Sequence, residues 1–318
     1  MTSVEIAKVD FLDFVSGDAE RKEKFVQEIG DSFAEIGFVI VKNHGVSKEL
    51  RDKLYEASKK FFELEDTIKD QYEIESLAGQ RGYTGKKKET AKGSEIPDLK
   101  EFYHIGQNIQ GENTEGYPEN IWPSEVAEFK TYGEEVYKTF EDTGRNLLKA
   151  IALYLGLYES YFDSKIENGN SILRLLHYFP IENTDEIEDG AIRAAAHEDI
   201  NLITLLMGGS AEGLQAQAKD GTWVDVNPEP DEIVINIGDM LQRLTNNRLR
   251  STTHRVINPR KELLHTSRYS TPFFLHPKSE MDLTCLKSCI SESNPKRYDD
   301  TTAGNYLMER LKELGLLK

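Results

Sequence analysis

Between residues 171 and 275 the chain breaks into eight short runs rich in β-branched and aromatic residues: 171–179, 191–197, 201–207, 213–218, 222–226, 233–237, 252–257 and 267–275. Turn signals such as Gly208-Gly209, Asp220-Gly221 and Asn227-Pro228 separate several of them. About eight strands packed into some 105 residues indicate a sandwich or jelly roll, and this constrains the fold more than any other feature.

The flanks read as helical. Phe25, Ile29, Phe33 and Ile36 recur at spacings of three and four, with Gly37 as the C-terminal cap. A strand over Phe38-Val39-Ile40-Val41 and a turn at Asn43-His44-Gly45 follow. Ser47 is then the expected N-cap of a helix carrying Leu50, Leu54, Phe61 and Leu64. Residues 76–98, with Gly79, Gly82, Gly85 and Gly93 among many charges, lack periodicity; they are expected to form a long loop and a lid over a cavity. A long backing helix is expected from Ser124 to Tyr154, and a closing helix from Asn305 to Leu316. The expected fold class is mixed α and β. The chain divides into an N-terminal region (1–120), the backing helix and its connection (121–169), a jelly-roll core (170–277) and a C-terminal helical extension (278–318).

With 318 residues, 38% of them hydrophobic, the chain can bury a sizeable core. A mean hydropathy of −0.55 and the lack of any 18-residue apolar run argue against a membrane span. The N-terminus has no secretion signal and the two cysteines, Cys285 and Cys289, cannot form a disulfide framework, so a cytoplasmic setting is expected. Against 39 Lys and Arg stand 56 Asp and Glu, for a net charge of −17. Such a surface repels phosphate backbones, which disfavours nucleic acid as a partner and leaves a small molecule, bound by a monomer, as the expectation. An anionic ligand would then need a locally placed cation.

His197-Glu198-Asp199 is the first chemically informative group. Residues two apart on a strand share a face, so His197 and Asp199 could hold one ion together, although a lone H-x-D is also a common polar pair. His254, 55 residues beyond Asp199, completes a set of two histidines and one carboxylate. That set suits non-haem Fe(II), because it leaves adjacent coordination positions open. A zinc-protease helix would need histidine at position 201, which is Asn201. Further on, Arg268 and Ser270 share a strand face while Tyr269 points away. A guanidinium beside a hydroxyl can hold a carboxylate by paired charge-assisted bonds. His44 reads as a turn residue capping the helix after it, and Gly208-Gly209-Ser210 lacks the lysine of a phosphate loop.

His197-x-Asp199, His254-Arg255-Val256 and Arg268-Tyr269-Ser270, in this order and spacing, resemble the iron/2-oxoglutarate-dependent dioxygenase superfamily. Gly238-Asp239-Met240-Leu241-Gln242 with Thr245-Asn246-Asn247, Ile36-Gly37-Phe38-Val39 and Asn43-His44-Gly45 are similar to its isopenicillin N synthase-like group. The resemblance covers nearly the whole chain. It implies a distorted double-stranded β-helix (jelly-roll) core wrapped by N-terminal helices and a long backing helix. It also implies His197, Asp199 and His254 as iron ligands, and Arg268 and Ser270 on the distal carboxylate of 2-oxoglutarate. Tyr178 matches a tyrosine that can hydrogen-bond the co-substrate, whereas Leu176 replaces an asparagine frequent in plant members. The substrate side would involve Arg174, Tyr103, His104 and Phe274.

The activity so implied is oxidation of a small organic substrate (hydroxylation, desaturation or cyclisation) by Fe(II), 2-oxoglutarate and O2, with ascorbate as a reductant and release of succinate and CO2. The alternative within the fold is a 2-oxoglutarate-independent iron oxidase of the isopenicillin N synthase or aminocyclopropane carboxylate oxidase type. There the same Arg and Ser would hold a substrate carboxylate. Outside the class stands a non-catalytic binding protein on the same scaffold, which an intact ligand set argues against.

Overall fold

The computed structural model describes residues 5–77, 79–86, 88, 98–108, 116–180, 192–208, 213–258 and 263–313. It opens with strand β1 (Lys8–Asp10), helices α1 (Phe11–Val15) and α2 (Ala19–Glu35), and strand β2 (Phe38–Lys42). Asp18 caps α2 by accepting from Arg21 N at 3.0 Å, and Gly37, at φ +75°, turns the chain into β2. Helix α3 (Lys48–Phe62) starts under Ser47, whose hydroxyl accepts from Leu50 N at 3.1 Å as expected. His44 caps nothing by its side chain; it is buried and packs against Phe140, with ring centres 6.4 Å apart.

Helix α4 (Asp66–Lys69) and strands β3 (Gly82–Thr84) and β4 (Glu101–Gly106) complete the N-terminal part. Strand β3 corrects the expectation of a structureless 76–98 loop: the short Gly82-Tyr83-Thr84 run pairs with β4 and buries Tyr83. Residues 78, 87 and 89–97 of the expected lid lie outside the described residues. The backing helix α5 spans Glu128–Tyr154, four residues shorter at its start than expected, and ends at Gly156 with φ +73°. Helix α6 (Asp163–Ile166) leads into the core.

All eight expected strands are present: β5 (Ile172–Tyr178), β6 (Ala194–His197), β7 (Ile203–Gly208), β8 (Leu214–Gln217), β9 (Trp223–Asp225), β10 (Glu232–Ile237), β11 (His254–Val256) and β12 (Arg268–Leu275). Helix α7 (Asp239–Leu244) lies between β10 and β11, and α8 (Ala303–Glu313) closes the described chain; the last residues of the expected closing helix, 314–316, lie outside it. An eight-stranded sheet runs β1-β2-β10-β7-β12-β5-β4-β3, and a four-stranded sheet β6-β11-β8-β9. Among the described helices none is long and apolar enough to cross a membrane.

Strand alternation divides the large sheet into two faces. Leu173, Leu175, Leu205, Phe273 and Leu275 face the backing helix, where Tyr137 meets Phe273 edge-on at 5.0 Å. On the other face Phe38, Ile40 and Val234 meet Leu214, Ala216 and Val256 of the small sheet in a second apolar cluster. That filling stops part-way along the sheets. Beyond it the same inner face carries Asn236, Thr204, Arg174, Tyr178, Arg268 and Ser270, so polar chemistry gathers between the two sheets.

Candidate active site

His197 ends β6 and His254 begins β11, and the two are direct partners in the antiparallel register. Pairing puts both rings on one face, with centres 4.4 Å apart. Each Nδ1 lies against a backbone carbonyl, Ala195 O at 2.7 Å and Thr252 O at 3.0 Å. A carbonyl only accepts, so Nδ1 carries the proton and each Nε2 presents a lone pair. Asp199, in the turn after β6, places Oδ1 3.8 Å from both Nε2 atoms. Its other oxygen is taken: Oδ2 accepts from Thr204 Oγ1 at 2.6 Å and from Asn236 Nδ2 at 2.8 Å.

These three residues are the one group of metal-competent side chains among the described residues, with donor atoms all within 4.8 Å of one another. An ion bound about 2.1 Å from a nitrogen or carboxylate oxygen can bridge donors up to about 4.2 Å apart. The 3.8 Å separations therefore fit. Surrounding protein, then the His254 ring, pulls the His197 pKa down to about 4, although 39% of its side chain is open to solvent. Burial pushes the Asp199 carboxyl up, but the two imidazoles and the Asn236 and Thr204 bonds outweigh it and hold it below the ordinary carboxylate range. At neutral pH the donor set is a neutral His197 and a carboxylate, as a divalent cation requires.

The segment before His254 braces it. A Cβ on Gly238 would fall 2.1 Å from Asn201 Oδ1, so only glycine fits there, and Asp239 N donates to Asp199 O at 2.9 Å. Asn246 and Asn247 adopt φ +50° and +66°, turning the chain after α7. Gln242 Oε1 then accepts from Ser251 N at 2.9 Å, and Thr252 Oγ1 donates to Ile36 O at 2.7 Å. Sequence reasoning singled out this stretch by resemblance but missed Thr204 and Asn236. The available signal was Asn236 itself, a polar residue interrupting Ile233-Val234-Ile235 and Ile237.

Arg268 and Ser270 lie buried on the inner face of β12, at 4% and 2% exposure, with Nη1 3.4 Å from the Ser270 hydroxyl. Tyr178 pairs with Arg268 across β5 and β12, its ring centre 4.9 Å from the guanidinium carbon. Tyr269 points the opposite way and stacks on His177 at 4.8 Å. Arg174, two strand steps of alternation from Tyr178 on the same face, sits between Phe102 at 4.2 Å and the half-buried Phe274 at 5.3 Å. Its Nε donates to His104 Nε2 at 2.6 Å, while His104 Nδ1 donates to Gly79 O at 2.6 Å. His104 therefore orients Arg174.

Tyr103 is a correction. Alternation on β4 turns Phe102 and His104 inward and Tyr103 outward, where it is fully buried against Phe61 and Phe129, each 5.0 Å away, with its hydroxyl on Ile121 O at 2.7 Å. It cannot line the space between the sheets. Phe102, which the sequence reading passed over, takes its place.

Comparison with known proteins matches residues 6–125 to the family of the non-haem dioxygenase in morphine synthesis N-terminal region, and residues 169–277 to the 2OG-Fe(II) oxygenase superfamily. The 2-oxoglutarate-Fe(II) type oxidoreductase hxnY of Emericella nidulans is 31% identical over 317 residues, covering 96% of this chain and 89% of that protein. A 2OG-Fe(II) oxygenase family protein from Caulobacter crescentus superposes with a TM-score of 0.88 at 41% identity, over 98% of this chain and all of that one. A full-length Neurospora crassa protein, solved in complex with alpha-KG and thymine, superposes with a TM-score of 0.86 at 30% identity, over 98% of this chain and 97% of that one. With this fold, this donor set and these relatives, the chain belongs to the 2OG-Fe(II) oxygenase superfamily: it is an oxidoreductase that uses Fe(II) and 2-oxoglutarate to oxidise a small molecule.

Proposed function

We propose that His197, Asp199 and His254 hold the Fe(II), that Arg268, Ser270 and Tyr178 hold 2-oxoglutarate, and that the substrate is oxidised beside Arg174 and Phe274. The observation that carries this reading is the pairing of two histidines whose Nδ1 protons are fixed by backbone carbonyls, with one carboxylate oxygen 3.8 Å from both Nε2 atoms. When bound, Fe(II) supplies the redox chemistry that couples decarboxylation of 2-oxoglutarate to oxidation of the substrate.

The chain's own work is positioning. The Ala195 and Thr252 carbonyls keep each imidazole in the metal-binding tautomer, and Thr204 with Asn236 occupies Asp199 Oδ2, which leaves Oδ1 as the oxygen that would hold the ion. Arg268 supplies the local cation that a dicarboxylate needs on approaching a protein of net charge −17. Phe102 and Phe274 offer flat apolar surface, with the guanidinium of Arg174 between them as an oriented polar group. A small planar or apolar molecule bearing a carbonyl or carboxylate suits that surface, as does the thymine held by the Neurospora crassa protein. The reading includes the domain division at residues 120, 169 and 277, and a monomer acting in the cytoplasm, where the buried thiols of Cys285 and Cys289 stay reduced; size-exclusion with light scattering would test the monomer.

The test is succinate release under air with Fe(II) and ascorbate, across a small-molecule panel. The expected result is succinate formation that needs added 2-oxoglutarate, with a sharply raised apparent constant for 2-oxoglutarate in Arg268→Lys, which keeps the charge but loses the planar fork. Turnover of any substrate without 2-oxoglutarate would overturn the co-substrate assignment and leave Arg268 holding the substrate.

A further inference from the structure

Beside Arg268 the structure buries a second guanidinium that no motif pointed to. Arg193 stands immediately before β6 and is 4% exposed. Its guanidinium carbon lies 5.7 Å from the centre of the Tyr178 ring, the same ring that Arg268 approaches to 4.9 Å. Among the described residues its hydrogen bonding amounts to one long contact, Nη2 to Thr266 O at 3.4 Å. No described Asp or Glu pairs with it, and the described charge that acts on it is that of Arg268. Burial, then the Arg268 charge, draws its pKa down to about 10, so it remains a cation at neutral pH.

A buried cation without a carboxylate is costly, and a like charge nearby makes it costlier. A purely structural arginine in such a place would be expected to make several good hydrogen bonds to carbonyls. Among the described residues Arg193 makes one, and that one is long. Its position has a further regularity: Arg193 enters from the small sheet, whereas Arg268, Ser270 and Tyr178 all stand on the large one. The two guanidiniums thus reach one ring from facing sheets. On β5, Leu176 occupies the position next inward from Tyr178 on that face and offers no polar contact to a ligand there.

We propose that Arg193 is a second co-substrate anchor, closing with Arg268 on the distal carboxylate of 2-oxoglutarate from the opposite sheet. The inference rests on the co-substrate reading above and extends it. A single carboxylate can accept from both guanidiniums through its two oxygens, and its charge offsets the unfavourable effect of Arg268 on Arg193. Two consequences separate this role from a packing role. Selectivity for a 2-oxo acid with a distal carboxylate depends on Arg193. Removal of Arg193 relieves repulsion in the ligand-free protein, so that stability does not fall while affinity does.

The experiment uses the full chain loaded with Mn(II), a redox-silent oxygen- and nitrogen-binding stand-in, with calorimetric titration of 2-oxoglutarate and of 2-oxovalerate, which lacks the distal carboxylate. Wild type, Arg193→Gln, Arg193→Lys and Arg268→Gln are compared, together with the melting temperature of each without ligand. Arg193→Gln is expected to weaken 2-oxoglutarate by about tenfold or more, leave 2-oxovalerate within about twofold, and melt no lower than wild type; Arg193→Lys falls between. Wild-type 2-oxoglutarate affinity in Arg193→Gln overturns the inference. So does an equal loss for both acids with a lowered melting temperature, which marks Arg193 as packing for Tyr178. If Arg268→Gln binds 2-oxoglutarate as wild type does, the co-substrate reading itself fails, a result distinct from a silent Arg193.

Discussion

Replacing Thr204 by Val keeps the shape of a β-branched strand residue and deletes one hydroxyl. That hydroxyl donates to Asp199 Oδ2 at 2.6 Å and accepts from Asn201 Nδ2 at 2.8 Å, while Asn236 Nδ2 holds the same Oδ2 at 2.8 Å. The substitution has two separable effects. Asn201 is fully buried, so its amide loses an acceptor that water cannot replace, at a cost of about 1–3 kcal/mol in folding. Asp199 loses one of two donors that fix its orientation, and loosening the partner of a metal-bound carboxylate costs about 10–100-fold in metal affinity. Urea denaturation of the metal-free protein reads the first effect, and calorimetric Mn(II) titration the second. Asn236→Leu removes the other donor, and the double variant is expected to lose more affinity than the two single losses combined, because both act on one oxygen. A Thr204→Val protein with wild-type Mn(II) affinity and reduced stability would refute the division of labour between Oδ1 and Oδ2.

Gly37→Ala is expected to destabilise the protein by more than about 1 kcal/mol in urea melts, because φ is +75° and a Cβ would stand 2.3 Å from Arg250 O; an unchanged midpoint would contradict the close approach. Glu101 is fully buried, with Lys69 Nζ at 2.8 Å, His177 Nδ1 at 2.7 Å and the Tyr83 hydroxyl on its carboxylate. Burial raises its pKa, but the His177, Lys69 and Tyr83 bonds outweigh that and leave it below the ordinary value of 4.5 for a glutamate. A depressed carboxyl contributes stability that is present above the unfolded pKa and lost as pH falls through the folded one. Wild type is therefore expected to lose stability below about pH 4.5 more steeply than Glu101→Gln, which at neutral pH is weaker by about 1–3 kcal/mol because Lys69 keeps Asp66 at 2.9 Å but loses its buried partner. Parallel acid-side curves for the two proteins would remove Glu101 from the account.

The strands of the jelly roll were legible because they are short runs rich in β-branched and aromatic residues, several closed by turn residues, and the metal site because its residue types and spacing are unusual together. Helix starts at Ser47 and stops at Gly37 and Gly156 were legible through side-chain capping and left-handed glycine. Tyr103 was misplaced because a strand read without its register has no phase: one step of alternation exchanges the inward and outward faces. β3 was missed because three residues among glycines and charges carry too little periodicity, and its pairing with β4 is what makes it a strand. Thr204 and Asn236 act through contacts that bridge the two sheets; the break that Asn236 makes in an apolar strand marks the residue, but no local pattern says which carboxylate it meets.

The central claim is that His197, Asp199 and His254 form one Fe(II) site. Anaerobic calorimetric titration of Fe(II) into the metal-free full chain and into His197→Ala, Asp199→Ala and His254→Ala tests it most directly. The account predicts one saturable Fe(II) per wild-type chain and loss of that binding in each variant, with folding intact by circular dichroism. Retention of one tightly bound Fe(II) in His254→Ala, or no Fe(II) bound by the wild type, would contradict it.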